Sequence, residues 1–472
     1  MSTDTTNQIT AQYERARRAR DARFDGVFFT AVKTTGIYCR SICPANPPLE
    51  KNVEYYDSAV SAAHAGFRPC LRCRPDSAPQ SSAWLGTQST FQKALALIHQ
   101  GALQHDSLPV LASSLGVSDR YLRGLFQQNL GTSPLKYSVY QQCLFAKQLL
   151  HETDLTITDI AFAAGFNSVR RFNEAVKQTL GLAPKEIRKS VKSSSGGIRL
   201  KLYYRPPYAW QQLIKFLQKR AIPGLEWGQE NTYGRTFTFG GTVGYFEISA
   251  EPEQNRFDLF INVDKIHNLS QIVQRIRLMF DVDAPIERID QTLQTQMGGL
   301  INYQPGLRVP GIWGCFEAGV RAILGQQISV MAARNLTIAM VETLGERVEF
   351  SGTPAQFLFP SPDTVVDHSL DFFRMPQARK DTIRRLAAYF LNTVADGSLA
   401  TRSEDIDAWL DIKGIGPWTV NYVKMRASKD PDIWLVGDAG LKNALKGLDE
   451  LPDLEKTKPW RSYLTLQMWN QL

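Results

Sequence analysis

The chain has 472 residues, of which 43% are hydrophobic and 21% are charged, so it can form several globular domains of ~100–200 residues each. No apolar run reaches the ~18 residues that a membrane-spanning helix requires, and the polar amino-terminal segment lacks the apolar core of a signal peptide. Without export, the cysteines are predicted to serve in metal binding or nucleophilic chemistry rather than in disulfides.

The charge is distributed unevenly along the chain. The net charge of +8 and the pI of about 9.1 favour a polyanionic partner. Residues 1–190 contain 22 Lys and Arg against 15 Asp and Glu, whereas the remainder contains 32 against 31. The basic amino-terminal part is therefore predicted to contact phosphates, and any DNA binding by the remainder must depend on local geometry.

Four cysteines lie in two short pairs. Cys39 and Cys43 form the first pair, and Cys70 and Cys73 follow after 26 intervening residues. Each pair can supply two sulfurs from one turn, as tetrahedral zinc requires, so a closed structural zinc site is one interpretation. The other two cysteines, Cys143 and Cys315, are predicted to be core residues.

The segments TTGIYCR and AGFRPCLRC around these cysteines resemble the amino-terminal domain of the Ada family of methylphosphotriester-repair proteins. The resemblance implies a small zinc-binding α/β domain over residues 1–80, in which Cys39 accepts a methyl group from a methylated DNA phosphate. Zinc would keep the Cys39 thiol ionised. Methylation would then remove one negative charge from the site and raise its affinity for DNA. Ser41 and Ile42 stand where the family usually has proline.

Four arginines flank the cysteine pairs. They are candidate contacts to the DNA backbone or, equally, members of a solvated basic face. They are Arg40, Arg68, Arg72 and Arg74.

An internal repeat follows a predicted linker over residues 76–89. Ala112 and Ala161 are 49 residues apart, and each copy has a turn glycine, a Ser or Asn cap and an amphipathic second helix. The repeat resembles the AraC-type DNA-binding domain, an all-α double helix-turn-helix, here placed at residues 89–190. A plain helical bundle is the alternative.

This resemblance implies recognition helices at Asp119–Gln128 and Val169–Thr179, joined by a long helix over Leu135–His151. Exposed arginines on the recognition helices are candidates for base or phosphate contact. They are Arg120, Arg123, Arg170 and Arg171.

A Ser/Gly-rich linker at residues 190–197 precedes a strand, an amphipathic helix and further strands. This β-α-β segment, residues 197–283, resembles the amino-terminal domain of AlkA-type 3-methyladenine glycosylases and is expected to provide packing support. The chain from residue 284 to residue 472 is predicted to be an all-α glycosylase domain. The whole protein is thus expected to be multidomain α+β.

The segment from Leu410 to Asp438 predicts two helices joined by a tight turn, then an extended run that ends on a carboxylate. Gly414 and Gly416 would permit the turn, and the amide groups at the start of the second helix could hold a phosphate. The segment resembles the helix-hairpin-helix element of DNA glycosylases, which implies that Asp438 is catalytic. A simple helix N-cap is the alternative role for Asp438.

The same resemblance implies several further site residues. The loop GQQIS places Gln327 as a wedge in the DNA duplex, with a buried polar cap as the alternative. Trp418, Tyr422 and Trp469 match the aromatic base pocket, which would attract cationic alkylated bases. The family also holds a monovalent cation on hairpin carbonyls, which places that site at Leu410, Ile412 and Ile415.

Two differences from related glycosylases bear on whether the protein cuts the DNA strand and on which base it prefers. Related glycosylases that also cut the strand have a nucleophilic lysine where this chain has Trp418, so a monofunctional glycosylase without lyase activity is predicted. Ala439 follows Asp438 where some members have tyrosine, so base preference can differ. No PCHR motif of an O6-methylguanine methyltransferase is present.

The sequence therefore predicts a fused sensor, transcriptional activator and repair enzyme for alkylated DNA. Its expected partners are damaged and promoter double-stranded DNA and RNA polymerase, with no membrane, and the protein is expected to be a monomer in the bacterial cytoplasm, at the nucleoid. The alternative is a zinc-bearing transcription factor whose glycosylase-like half only binds DNA.

Overall fold

The computed structural model describes residues 3–20, 24, 28–41, 43, 45–56, 62, 65–70, 73, 86–188, 196–297, 299–393, 406–448 and 450–472. The chain divides into two compact units, Met1–Ser138 and Val139–Leu472, and each is described by itself. Among the helices in these ranges, none combines the length and hydropathy needed to cross a membrane.

The first unit begins with helix α1 (Thr3–Ala19) and a four-stranded sheet in the order β3-β1-β2-β4. The strands are β1 (Phe29–Val32), β2 (Ile37–Arg40), β3 (Val53–Tyr56) and β4 (Arg68–Pro69), with a 3-10 turn at Glu50–Asn52. Strand β1 is antiparallel to β2 and β3, and β2 is parallel to β4. Because side chains alternate along a strand, Phe29, Ala31 and Tyr38 enter the core while Thr30 and Cys39 share the other face.

The first unit continues as helices. They are α2 (Gly86–His99), α3 (Ala102–His105), α4 (Leu108–Ser114), α5 (Asp119–Leu130) and the beginning of α6 (Pro134–Glu152). The prediction of a linker up to residue 89 is wrong at its end, because α2 already begins at Gly86. Phe91, Ala94 and Ile98 on α2 are buried against α4 and α5, and this packing stabilises the helix. The remaining linker residues, 76–85, lie outside the described residues.

The two predicted helix-turn-helix units are present. The first consists of α4 and α5, and the second consists of α7 (Ile157–Ala163) and α8 (Val169–Leu180), followed by α9 (Pro184–Ile187). Ser118 and Ser168 cap the second helix of each pair by accepting hydrogen bonds from backbone amides. Gly116 and Gly165 have φ values of 67° and 83°, which explains the glycine at each turn.

The second unit contains an antiparallel five-stranded sheet in the order β5-β9-β8-β7-β6. Its strands are β5 (Ile198–Tyr203), β6 (Glu226–Trp227), β7 (Thr232–Phe239), β8 (Thr242–Glu251) and β9 (Arg256–Val263). Helices α10 (Trp210–Gln218) and α11 (Leu269–Met279) cover it. One continuous core joins this sheet to α7 and α8.

The end of α6 also contacts the outer edge of the sheet. The Gln148 amide donates a hydrogen bond of 3.0 Å to the carbonyl of Lys201, and the Lys201 N–H donates one of 2.8 Å to the Glu152 carboxylate. Strand β5 is an edge strand, so these side chains satisfy backbone groups that would otherwise stay unpaired.

The rest of the second unit is mainly helical. Its α-helices are α12 (Ile286–Met297), α13 (Cys315–Leu324), α14 (Val330–Leu344), α15 (Pro362–Val366), α16 (Gln377–Thr393), α17 (Pro417–Arg426), α18 (Ala439–Lys446) and α19 (Arg461–Trp469). A 3-10 turn at Ala408–Asp411 precedes α17. Two cores hold these helices, one around α13, α16 and α17 and one around α12, α18 and α19. Cys143 and Cys315 are buried, as predicted.

Candidate metal centre and base pocket

The four predicted ligand cysteines converge in the first unit. Cys39 lies on β2, Cys43 follows that strand, and Cys70 directly follows β4. One sulfur from each of these residues and from Cys73 lies within 4.8 Å of the other three. Four thiolates at ~2.3 Å from one zinc ion would be about 3.8 Å apart, so a small contraction of this cluster suffices.

The electrostatics of the cluster favour a cation. The hydrogen bond to Cys73, together with burial, raises the pKa of the Cys39 thiol. The same hydrogen bond lowers the pKa of Cys73 to about 6. Several thiolates at this distance repel one another. A divalent cation removes this repulsion, so the donor set fits zinc.

Arg40 braces the cluster. Its backbone N–H donates to the sulfur of Cys73 at 3.4 Å, and its guanidinium donates to the carbonyl of Cys73 at 3.2 Å. These contacts connect β2 to the second cysteine pair. Arg68 lies on β4, whereas Arg72 and Arg74 lie outside the described residues.

A cavity of about 680 Å³ opens beside Cys39. Its lining includes Thr30, Cys39 and Arg17. Arg17 is buried and pairs with Glu50, and it also donates to the hydroxyl of Tyr55. The Arg17 charge is therefore compensated inside the domain, and the cavity is large enough for a neutral phosphate ester.

The four predicted contact arginines of the helix-turn-helix units are exposed on α5 and α8. Arg123 pairs with Asp119 at 3.8 Å, and Arg170 pairs with Glu174 at 3.1 Å. Exposed pairs of this kind are weak, so they can open when a phosphate approaches.

The predicted hairpin is present between the 3-10 turn and α17. Gly414 has a φ of 100°, and a Cβ added there would lie 2.0 Å from the hydroxyl oxygen of Thr382. The expectation that the turn also requires a glycine at position 416 is wrong. Its φ is −113° and nothing lies within 4 Å of an added Cβ. In the turn, the Ile415 N–H donates to the carbonyl of Ile412 at 3.0 Å.

Asp438 is hydrogen-bonded to two of the three residues of the predicted base pocket. The indole N–H of Trp469 donates to Asp438 Oδ1 at 2.9 Å, and that of Trp418 donates to Oδ2 at 3.3 Å. Oδ1 also accepts the backbone N–H of Leu441 at 2.8 Å, so Asp438 is the N-cap of α18 as well. The two roles considered for Asp438 therefore coexist, since its two oxygens serve different partners.

Aromatic rings line this pocket in two stacked pairs. Trp418 and Tyr422 stack with their centroids 5.2 Å apart at 21°. Trp469 stacks on Phe216 at 6.1 Å and 18°. Phe216 comes from α10, so the β-α-β segment contacts one of the three predicted pocket residues.

Sequence reasoning missed Phe216 and two arginines near it. The guanidinium carbons of Arg220 and Arg426 lie 3.6 Å and 4.8 Å from the centroid of the Phe216 ring. Arg426 also donates to the hydroxyl of Tyr422 at 2.8 Å. Burial lowers the pKa of Arg220 to about 10, so it remains charged at neutral pH. The available signal was the pairing of Phe216 and Arg220 four residues apart near the end of an amphipathic helix.

The two glutamines of the predicted wedge loop GQQIS have different environments. Gln327 is exposed and has a φ of 60°, which is uncommon for a residue with a side chain. Gln326 instead points inward and donates to the carbonyl of Gly414 at 3.4 Å and to the hydroxyl of Thr419 at 3.3 Å. Gln326 is half-buried and hydrogen-bonded, whereas Gln327 is exposed beside exposed Ile328 and Val330.

Three protein families match successive parts of the chain. The metal-binding domain of Ada matches residues 12–76, a helix-turn-helix domain matches residues 111–190, and the AlkA N-terminal domain matches residues 199–314. The matches follow the order predicted from the sequence.

The similarity to a Mycobacterium tuberculosis protein extends over almost the whole chain. That protein, named a probable bifunctional transcriptional activator/DNA repair enzyme AlkA, is 33% identical over 97% of this chain and 95% of its own length. DNA-3-methyladenine glycosylase 2 of Escherichia coli is 31% identical over 57% of this chain and 95% of its own length. The Ada protein of Escherichia coli, named a bifunctional transcriptional activator/DNA repair enzyme, is 34% identical over 36% of this chain and 46% of its own length.

Proposed function

The chain belongs to the family of bifunctional transcriptional activators and DNA repair enzymes that join Ada-type and AlkA-type domains, and from this premise we propose how its residues divide the work. It is a DNA-binding regulator with two repair activities. One transfers methyl groups from DNA methylphosphotriesters to the protein, and the other excises alkylated purines such as 3-methyladenine.

Cys39 is the methyl acceptor. Zn²⁺ held by the four-cysteine cluster would keep the sulfurs ionised at neutral pH. The sulfur of Cys39 attacks the methyl carbon, an S–C bond forms, and the C–O bond breaks. The electron pair stays on the phosphate oxygen, which restores the phosphodiester. The cavity beside Cys39 supports this assignment because it gives a phosphate ester access to the sulfur.

Asp438 carries base excision. An alkylated purine leaves with the electrons of the N-glycosidic bond, and the sugar becomes cationic in the transition state. The Asp438 carboxylate stabilises that cation while Trp418 and Tyr422 stack on the base, with cation–π attraction of about 0.5–2 kcal/mol per ring. Trp418 stands where a lyase has its lysine, so water adds to the sugar cation, loses a proton to solvent, and the reaction ends at the abasic site.

Other residues position the DNA. Gln327 enters the duplex as the base leaves, and the open space around Gly416 lets a phosphate approach the amides that begin α17.

Carbonyls of Leu410, Ile412 and Ile415 are the proposed ligands of a monovalent cation. Arginines of α5 and α8 hold promoter DNA, and RNA polymerase is the proposed partner at the promoter. We place the protein at the bacterial nucleoid, as a monomer.

The observation that carries the glycosylase assignment is that the indole N–H groups of Trp418 and Trp469 both donate hydrogen bonds to the Asp438 carboxylate. The test is Asp438→Asn, assayed by release of 3-methyladenine from methylated duplex DNA. Asparagine caps a helix as well as aspartate does, so α18 should persist while the charge is lost. We expect release to slow roughly a hundredfold or more.

Two other outcomes decide between alternatives. Equal release by the parent protein and the variant would move catalysis to another residue. No release by either would leave the second unit as a DNA-binding module. A circular dichroism melt of both proteins ensures that a loss of release reflects the lost charge and not unfolding.

A further inference from the structure

Thr30 lies directly opposite Cys39 in the sheet. The register of β1 and β2 pairs these two residues, so their side chains share one face with Cβ atoms about 4.5–5.5 Å apart. Val32 and Ile37 lie on the same face and, like Thr30 and Cys39, line the cavity. The Thr30 side chain therefore belongs to the cavity wall nearest the proposed methyl acceptor.

The hydroxyl of Thr30 is buried without a partner. The residue is 2% exposed, and its Oγ1 makes no hydrogen bond with any part of the protein that the structure describes. A buried hydroxyl without a partner destabilises a fold, because it gives up its hydrogen bonds to water and gains none in return. Valine has nearly the same shape and would remove that cost, yet threonine occupies this position in the cavity lining.

Neighbouring polar groups are already engaged. Arg17, which also lines the cavity, is buried against Glu50 and Tyr55. Arg40 donates its guanidinium to the carbonyl of Cys73. These two cations shape the cavity through internal contacts, whereas the Thr30 hydroxyl retains its donor for an occupant of the cavity.

We propose that Thr30 is a catalytic residue of methyl transfer, whose hydroxyl donates a hydrogen bond to an oxygen of the methylated phosphate. This inference rests on the proposed role of Cys39. As the S–C bond forms and the C–O bond breaks, the neutral triester becomes a phosphodiester anion. A hydrogen bond to its oxygen strengthens as that charge develops, so it stabilises the transition state more than the bound substrate.

The test compares Thr30→Val with Thr30→Ser in the full chain. Valine keeps the shape and removes the donor, whereas serine keeps the donor and removes a methyl group. Single-turnover transfer from a duplex carrying one methylphosphotriester is followed by the mass of Cys39. We expect Thr30→Val to be roughly ten- to a hundredfold slower, and Thr30→Ser to stay within about threefold of the parent.

A second substrate separates the phosphate from the sulfur. Methyl iodide has no phosphate, so methylation of Cys39 by methyl iodide should be equal in the parent and in Thr30→Val. Zinc content, measured by mass spectrometry of the metal, should also be equal. An equal slowing with methyl iodide, or a loss of zinc confined to the valine variant, would overturn the proposal by assigning the hydroxyl to the cysteine cluster.

The remaining outcomes are also decisive. If Thr30→Ser is slow and Thr30→Val is normal, the side chain acts by packing and the proposal is wrong. If the valine variant fails to fold, Thr30→Ala replaces it. The ratio of the methyl-transfer rates of Thr30→Ser and Thr30→Ala then measures the contribution of the hydroxyl. A parent protein that takes no methyl from the duplex, yet takes one from methyl iodide, would refute the proposed function of Cys39 itself.

Discussion

Asp438 shows how one side chain can serve the fold and the chemistry together. Its Oδ1 accepts from Leu441 at the start of α18 and from Trp469, while Oδ2 faces Trp418. A carboxylate held by three N–H donors has little freedom to rotate. The cap therefore fixes the orientation of the carboxylate that we propose faces the sugar.

Arg220 places a positive charge beside the proposed base pocket. Its guanidinium stacks on Phe216, and its charge interacts with Tyr422 and with Asp438. A fixed cation opposes a cationic alkylated base and can donate to a neutral one. We expect Arg220→Met to raise the ratio of kcat/KM for 3-methyladenine over that for hypoxanthine roughly fivefold, or ~1 kcal/mol.

Arg220→Lys is the matched control, because it keeps the charge and loses the planar stacking group. Both variants are assayed on duplexes that differ only in the damaged base. If the methionine and lysine variants shift the ratio equally, stacking on Phe216 and not charge governs the preference.

The pocket could be predicted from the sequence only in part. Trp418 and Asp438 lie within one recognisable segment, so a local motif was enough to bring them together. Phe216 and Arg220 are about two hundred residues upstream, on or beside a helix whose buried face is an ordinary apolar stripe. Only tertiary packing of α10 against the end of α19 places Phe216 on Trp469.

At the scale of elements, the hairpin distinguishes two glycines that look alike in the sequence. Gly414→Ala forces a Cβ into Thr382 at a φ of 100°, whereas Gly416→Ala meets open space. We expect Gly414→Ala to destabilise the second unit by about 1–3 kcal/mol. Gly416→Ala should leave the thermal unfolding midpoint within experimental error of the parent. Differential scanning calorimetry of the full chain measures both.

The same pair tests the phosphate site. If a phosphate approaches the amides beside Gly416, Gly416→Ala should weaken binding to undamaged duplex DNA while stability stays unchanged. A Gly414→Ala protein as stable as the parent would show that the turn relaxes and that Thr382 does not restrict it.

Helix boundaries followed from local chemistry, whereas the association of elements did not. Ser118 and Ser168 are the N-caps of their helices, in agreement with the Ser or Asn cap predicted for each repeat. A cap can be predicted from the sequence because it bonds to a backbone amide only two or three residues further on. The Ser/Gly-rich segment 190–197 was predicted as a linker, and its residues 190–195 lie outside the described residues. The contacts of Gln148 and Glu152 with Lys201 instead join α6 to the edge of the sheet, and no pattern in the sequence encodes that pairing.

At the scale of the whole molecule, the two chemistries lie in different compact units. All four cysteines of the cluster belong to Met1–Ser138, and Asp438, Trp418 and Trp469 belong to Val139–Leu472. Each set of proposed reacting groups therefore lies within one unit. Loss of one activity therefore need not impair the other.

Metal removal tests this separation. Dialysis against a chelator should abolish transfer of methyl to Cys39, because the raised pKa then leaves the Cys39 thiol neutral, and a neutral thiol is a poor nucleophile. The rate of 3-methyladenine release should remain within about twofold of the untreated protein, since Asp438, Trp418 and Trp469 belong to the second unit and the four cysteines belong to the first. Asp438→Asn is the converse control, with release lost and Cys39 methylation retained. If release falls in proportion to zinc content, the first unit supports the glycosylase, and damage sensing and base excision are then energetically coupled in one molecule.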